Sequence, residues 1–249
     1  AWDSTIRSWD VASGTENFAL NSAELGGTFV LSISLSPQED LMVASYDDVV
    51  RVWNLETQSV EVIYEGHVGG FIYNTALSPD QNFAATGSFG EAYLWDVNTG
   101  ETIYELTGHE DVFVDAVDFT SDGETVMVAS AVGIILYSVE TGEIIREITP
   151  PENMTVASFN ADDSGLLVIV GDTVVLIDLE TENIVYGFEG HSADINSLDF
   201  SADGQYVLTG ANDNTIRLWD ATTGEELQRI NYVAAVNAVA LSPDTTMAL

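Results

Sequence analysis

Apolar residues in this chain fall in short runs, and the residues between the runs are those that turn a backbone. The longest runs, "GLLVIVG" (165–171) and "VGIILY" (132–137), are strand-sized and far below the roughly 18 to 20 residues of a membrane-crossing helix. Residues 195–230 show the pattern in full: "INSLDF", "YVLTG", "NTIRLWD" and "ELQRI", separated by "SADGQ" and "TTGE". Asp-Gly, Pro-Asp and Thr-Gly-Glu sequences at such joints favour tight turns, so each segment of this kind is predicted to be four short strands in an antiparallel meander.

The segment repeats. Trp9, Trp53, Trp95, Tyr137, Ile177 and Trp219 close successive copies 40 to 44 residues apart. A second register runs through "LSPQ" at 35, "LSPD" at 77, "FTSDG" at 119, "FNADD" at 159, "FSADG" at 200 and "LSPD" at 241. A third is Gly-His at 66, 108 and 190, each 13 residues after the tryptophan position of the preceding copy. A four-stranded meander of about 42 residues cannot bury both faces alone. Neighbouring copies must therefore stack face to face, and radial stacking gives a propeller.

Gly-His, an SPDG-like turn, a small-residue strand ending in Thr-Gly or Ser, and the run Asp213 to Asp220 (DNTIRLWD) together resemble the WD40-repeat family over the whole chain. The expected fold is all-β: a β-propeller of four-stranded antiparallel blades. In family order, residues 1–22 supply strands c and d of one blade, residues 23–65, 66–107, 108–148, 149–189 and 190–231 are full blades, and 232–249 supply strands a and b. The expectation is a single domain of six blades with a two-plus-two split closing blade. Part of a seven-bladed ring, or exchange of the half-blades between molecules, stays open.

Charge narrows the partners. The chain has 41 acidic residues against five arginines and no lysine, a formal net charge of −36. Nucleic acid and anionic lipid are bound through cationic side chains, so neither is an expected partner, and no membrane insertion is expected. A protein or peptide partner, favoured if basic, is expected, with self-assembly as the other option. With no cysteine, disulfides and thiolate chemistry are excluded. The acidity and repeat wording lean towards an extracellular or cell-surface prokaryotic setting over a cytoplasmic one.

His67, His109 and His191 stand one per blade, too dispersed to hold one ion. The resemblance implies instead a structural hydrogen-bonded set, complete only as His191, Thr209, Asp213 and Trp219. His67, Thr86 and Trp95 lack the aspartate, His109 and Ser130 have Tyr137 in place of the tryptophan, and incomplete sets are expected to make weaker blades. Neighbouring carboxylates such as Asp115 with Asp118 read as repeat positions. No catalytic, metal or cofactor motif occurs, so no catalytic, metal or cofactor residue is expected.

Partners of the propellers this chain resembles most often touch the top face. The corresponding positions are Trp2, Tyr46 and Phe89 at the b–c turn and Phe29, Phe71 and Phe113 at the entry to strand a. Six aromatics rimmed by acids have the composition of a binding hot spot. The function expected is a non-enzymatic interaction scaffold. The alternatives are a structural subunit of an extracellular assembly joined through the split blade, and a glycan-binding or hydrolytic propeller.

Overall fold

The computed structural model describes residues 5–10, 13, 15–21, 29–68, 70–149, 154–201 and 203–241. Every regular element among them is a β-strand. Strands β1 (Thr5–Asp10) and β2 (Thr15–Asn21) form a two-stranded antiparallel sheet. Five four-stranded antiparallel meanders follow. The first is β3 (Val30–Leu35), β4 (Leu41–Tyr46), β5 (Val49–Asn54) and β6 (Ser59–Tyr64). The second is β7 (Asn74–Leu77), β8 (Phe83–Gly87), β9 (Ala92–Asp96) and β10 (Thr102–Glu105). The third is β11 (Val114–Phe119), β12 (Thr125–Ser130), β13 (Gly133–Ser138) and β14 (Ile144–Ile148). The fourth is β15 (Met154–Phe159), β16 (Gly165–Val170), β17 (Thr173–Asp178) and β18 (Ile184–Phe188). The fifth is β19 (Ile195–Phe200), β20 (Tyr206–Ala211), β21 (Thr215–Asp220) and β22 (Glu226–Asn231). This is the all-β architecture of the β-propeller class, with the meander as its blade.

The turn between the first two strands of each meander is built the same way five times. Ser36, Ser78, Thr120 and Ser201 each donate a hydroxyl to the aspartate that follows (Asp40, Asp80, Asp122, Asp203) and accept the N–H of the next strand's start or its neighbour. In the fourth meander Asn160 accepts the Gly165 N–H at 2.8 Å in that role. The residue that reverses the chain has positive φ in all five: Glu39, Gln81, Gly123, Asp163 and Gly204. These side chains satisfy backbone groups that a bare turn would leave to water.

The middle strands are the most buried, on both faces in LMVASY of β4 and GIILYS of β13 and on alternate residues in TIRLWD of β21, whereas the outer strand β22 is exposed throughout. Stacked sheets require that pattern, because each inner strand has a neighbour above and below. The chain divides into two compact units, residues 1–128 with 135–146, and residues 129–134 with 147–249. In the first, Leu20, Met42 and Trp53 pack the two-stranded sheet against β3–β6, Val52, Tyr64 and Trp95 join β3–β6 to β7–β10, and Leu94, Phe119 and Tyr137 join β7–β10 to β11–β13. In the second, Leu167, Phe188, Ile195 and Trp219 join β15–β18 to β19–β22. Each such side chain contributes about 1.5–3 kcal/mol by leaving water.

The split closing blade would need residues 232–249. Val236 donates its N–H to the Ala211 carbonyl and packs with Val239 on Leu208. Residues 232–241 contain no regular strand, and 242–249 lie outside the described residues. Beside β1–β2, a groove of about 410 Å³ is lined by Ile6, Phe18, Ile33, Leu35, Met42 and Leu55, among others.

Candidate functional site

The repeated histidines anchor the sheets from within. In the fifth meander Trp219 Nε1 donates to Thr209 Oγ1 (2.8 Å), which is 2.7 Å from His191 Nε2. His191 Nδ1 lies 3.0 Å from Asp213 Oδ2, so it carries the ring proton when Thr209 donates to Nε2. Asp213 also accepts the Ser192 N–H (3.1 Å) and the Thr215 hydroxyl (2.6 Å), and Arg217 stands 3.6 Å away. Burial raises the Asp213 pKa, but the hydrogen bonds from Thr215, Ser192 and His191 outweigh it and hold the carboxyl well below its usual range. Burial lowers the His191 pKa against the opposing pull of Asp213.

The second meander reaches the same result by another route. The connection from Gly87 to its β9 partner Ala92, Ser88-Phe89-Gly90-Glu91, is one residue shorter than that from Gly210 to its β21 partner Ile216 and carries no aspartate. Glu91, at the mouth of β9, substitutes for it. Its Oε2 lies 3.2 Å from His67 Nδ1 and accepts the Val68 N–H at 3.1 Å, the two contacts that Asp213 makes to His191 and Ser192. Ser88 Oγ is a further 3.0 Å partner of Nδ1, and Thr86 Oγ1 lies 2.9 Å from Nε2. The expected gap in this set is therefore closed by an acid with one more methylene. Trp95 Nε1 is buried without a hydrogen-bond partner among the described residues, and its ring stacks on Tyr64 at 4.6 Å instead. In the third meander His109 is buried, and burial pushes its pKa down to about 4 despite the nearby Glu110.

The short turn has a second effect: it puts Phe89 outside. Gly90, at φ +75°, donates its N–H to the Val112 carbonyl, and Val114 donates to Ser88, so Phe89 and Phe113 face each other across an antiparallel bridge. Their rings meet edge to face at 4.9 Å. Tyr73 touches Phe113 at 5.6 Å and Phe71 at 6.2 Å, both edge to face. Four rings thus form one continuous patch in the first unit, 38 to 51% exposed. Edge-to-face contacts of this kind fix ring orientation and add about 0.5–1.5 kcal/mol each. Exposed Glu110 and Asp111 border the patch on the chain leading into Phe113.

Asp115, the second residue of β11, is half-buried. Burial raises its pKa to about 6, and it has no hydrogen-bond or ion-pair partner among the described residues.

Of the six aromatics singled out in the sequence, Phe71, Phe89 and Phe113 come together. Phe29 is half-buried, and Trp2 lies outside the described residues. Tyr46 is a correction: it is fully buried with Leu20, Met42 and Trp53, with the Arg51 guanidinium 4.6 Å above its ring, so it is core. The sequence reading missed Tyr73, whose place depends on how the chain enters β7, and Glu91, whose register is shifted by the short turn. Among the described residues no group of three or more His, Asp or Glu side chains is placed to hold a metal ion, and no helix is long and apolar enough to cross a membrane.

The family model for "WD domain, G-beta repeat" matches residues 22–54, 100–131 and 182–220. Over 70 residues the chain is 33% identical to Protein groucho of Drosophila melanogaster, a stretch that covers 28% of this chain and 10% of that protein.

Proposed function

From the premise that this chain is a WD40-repeat protein, we propose that it is a non-enzymatic interaction scaffold whose contact surface is the patch of Phe71, Tyr73, Phe89 and Phe113. The observation that carries this reading is the continuity of the four rings. Single exposed apolar residues are ordinary on a protein surface, whereas four that touch one another, held rigid by a backbone bridge and bordered by acids, have the anatomy of a hot spot with a polar rim. The partner is a protein or peptide that inserts apolar side chains against the rings.

Selection of a displayed peptide library on the wild-type protein and on Phe89→Ala/Phe113→Ala tests it. The expected result is a set of peptides enriched by the wild type and bound at least tenfold more weakly by the variant, with thermal unfolding within a few degrees. Equal affinity of both proteins for those peptides would remove the patch from the function.

A second reading, self-assembly, is favoured by one observation: among the described residues β1–β2 is a two-stranded sheet where the other five have four, and Ile33 and Leu35 beside it are about half exposed. Strands supplied by a second copy would complete it. A mass that climbs with concentration in light scattering supports this reading; a constant mass near 26.8 kDa removes it.

A further inference from the structure

Apart from the ring patch, we propose that the cleft between the fourth and fifth meanders binds a small organic cation, an aromatic amine whose apolar body enters between the two sheets while its ammonium meets the carboxylates of Asp162 and Asp203.

The cleft holds about 370 Å³ and lies wholly within the second unit. That volume falls at the lower end of the range of small-ligand sites, about 300–1,000 Å³. Leu167, Leu176 and Phe200 give it an apolar lining, Tyr186 adds a second ring, and Asp162 and Asp203 add two acids.

The junction of the second and third meanders shows why this one is open. Both junctions have the same frame. Tyr104 donates its hydroxyl to the Glu140 carbonyl and Tyr186 to the Ala221 carbonyl, each reaching from the last strand of one meander to the turn before the last strand of the next. The first turns meet alike as well: a Cβ added to Gly123 would lie 3.5 Å from Pro79, and one added to Gly204 would lie 3.1 Å from Ala161. The difference lies in the residue that opens the second strand. Phe83, paired with Asp96, packs against the core that the second and third meanders share, and Leu41, paired with Asn54, does the same between the first and second. Gly165, paired with Asp178, holds that position in the fourth meander and offers no side chain. The core that Phe83 covers includes Leu94 and Phe119, whose counterparts by register are Leu176 and Phe200 of the cleft. A larger residue does not fit at Gly165, since its Cβ would lie 2.7 Å from the Ile177 carbonyl oxygen.

The chemistry of the lining selects the occupant. Asp162 and Asp203 are exposed, and each gives Oδ1 to its own turn: the first accepts the Ser164 hydroxyl and N–H, the second the Ser201 hydroxyl and the Gln205 N–H. Those bonds, led by the serine hydroxyls, hold both carboxyls below their usual range, so both are anionic at neutral pH. No arginine is among the residues that line the cleft. Two carboxylates call for a cationic head, the rings of Tyr186 and Phe200 attract one too, and the leucines call for a hydrocarbon body. A net charge of −36 concentrates cations at the surface and repels anions.

Titration calorimetry at physiological salt tests this with tryptamine, with its neutral analogue tryptophol and with the anion indole-3-propionate. The proteins are the wild type, Asp162→Asn/Asp203→Asn, Ala161→Trp at an exposed wall residue, and Glu101→Gln/Glu143→Gln, which removes two exposed charges from the first unit. Tryptamine should saturate one site, tryptophol should bind at least fivefold more weakly, and the anion should not bind. Asp162→Asn/Asp203→Asn should weaken tryptamine about tenfold, the worth of one charge-assisted contact, and leave tryptophol unchanged. The first-unit variant should change neither, and Ala161→Trp should block both. In the wild type, tryptamine should shift the methyl resonances of Leu167 and Leu176 and leave those of Leu94 in place, a reading that needs no variant to fold. The inference is overturned by absence of saturable tryptamine binding, by equal affinity for tryptophol, or by equal effects of the two charge variants. It is overturned as well by binding that leaves the Leu167 and Leu176 methyl groups unmoved or that a folded Ala161→Trp protein retains.

Discussion

The meanders β7–β10 and β19–β22 answer the same structural demand with different residues. Each has a buried histidine between a strand and its neighbours, and each gives that histidine a Thr hydroxyl on one nitrogen and a carboxylate on the other. In β19–β22 the carboxylate sits in the turn itself. Asp213 is spent on the network, and the turn's remaining residues, Asn212 and Asn214, are polar. In β7–β10 the carboxylate has moved to Glu91 at the strand mouth, and the turn is free to carry Phe89 outward to Phe113. An anchoring role and a surface role compete for the same few turn residues, and a one-residue deletion plus one methylene separates them.

The largest expected difference between the two is in the acid. Asp213→Ala leaves Arg217 and His191 in a site whose carboxylate is only 6% exposed, and should destabilise the protein by about 3 kcal/mol. The Glu91 side chain is 23% exposed, so water can replace it at His67, and Glu91→Ala should cost about 1 kcal/mol. Urea unfolding of the two variants gives both values, and equal costs would mean the networks are equivalent after all. The Asp213 contribution has a pH signature. Its folded-state pKa is depressed, so the stabilisation is complete above the ordinary carboxylate value near 3.8 and disappears as pH falls below it.

Tryptophan sharpens the same contrast at a smaller scale. Trp219→Phe removes the hydrogen bond to Thr209, whereas Trp95→Phe removes an indole nitrogen with no partner among the described residues and keeps an aromatic face for Tyr64. Both lose similar volume, so the costs should differ by about 1 kcal/mol, the net worth of one buried hydrogen bond. Matching melting temperatures for the two variants would show that the Thr209 bond contributes nothing.

What was legible in the chain follows from what repeats. The turn chemistry of "SPDQ", "TSDG" and "SADG" and the period of about 42 residues foretold the meanders, because each turn's hydroxyl and carboxylate are local to it. The set of His191, Thr209, Asp213 and Trp219 was equally readable, since its members keep their family spacing. The surface patch was half readable. Position along a repeat says that Tyr46 and Phe89 both stand at a turn, yet Tyr46 turns inward under Arg51 because Leu20 and Trp53 offer it an apolar bed, and Phe89 turns outward because Gly90 bridges to Val112. Side-chain direction at a turn depends on what the neighbouring sheet presents, and that information is spread over residues far apart in sequence. Glu91 shows the complementary difficulty: its role passes from aspartate to glutamate as the register slips.

The smallest effect is the one expected at Asp115. Asp115 has a folded-state pKa raised by burial to about 6, so protonated Asp115 is favoured in the folded protein over its ordinary value of 3.8. The sign follows directly: the group's contribution to stability is fullest below pH 3.8 and is lost as pH rises through 6. Asp115→Asn removes the charge and keeps the shape. It should therefore stabilise the protein at pH 7 by about 1 kcal/mol after allowance for solvent screening, and by nothing at pH 3.5. Thermal unfolding at the two pH values measures this, and a variant less stable than the wild type at pH 7 would mean the carboxylate serves the fold. A substitution that strengthens the fold would set Asp115 apart from Asp213, whose carboxylate is held by His191, Ser192 and Thr215 and is kept for what it holds together.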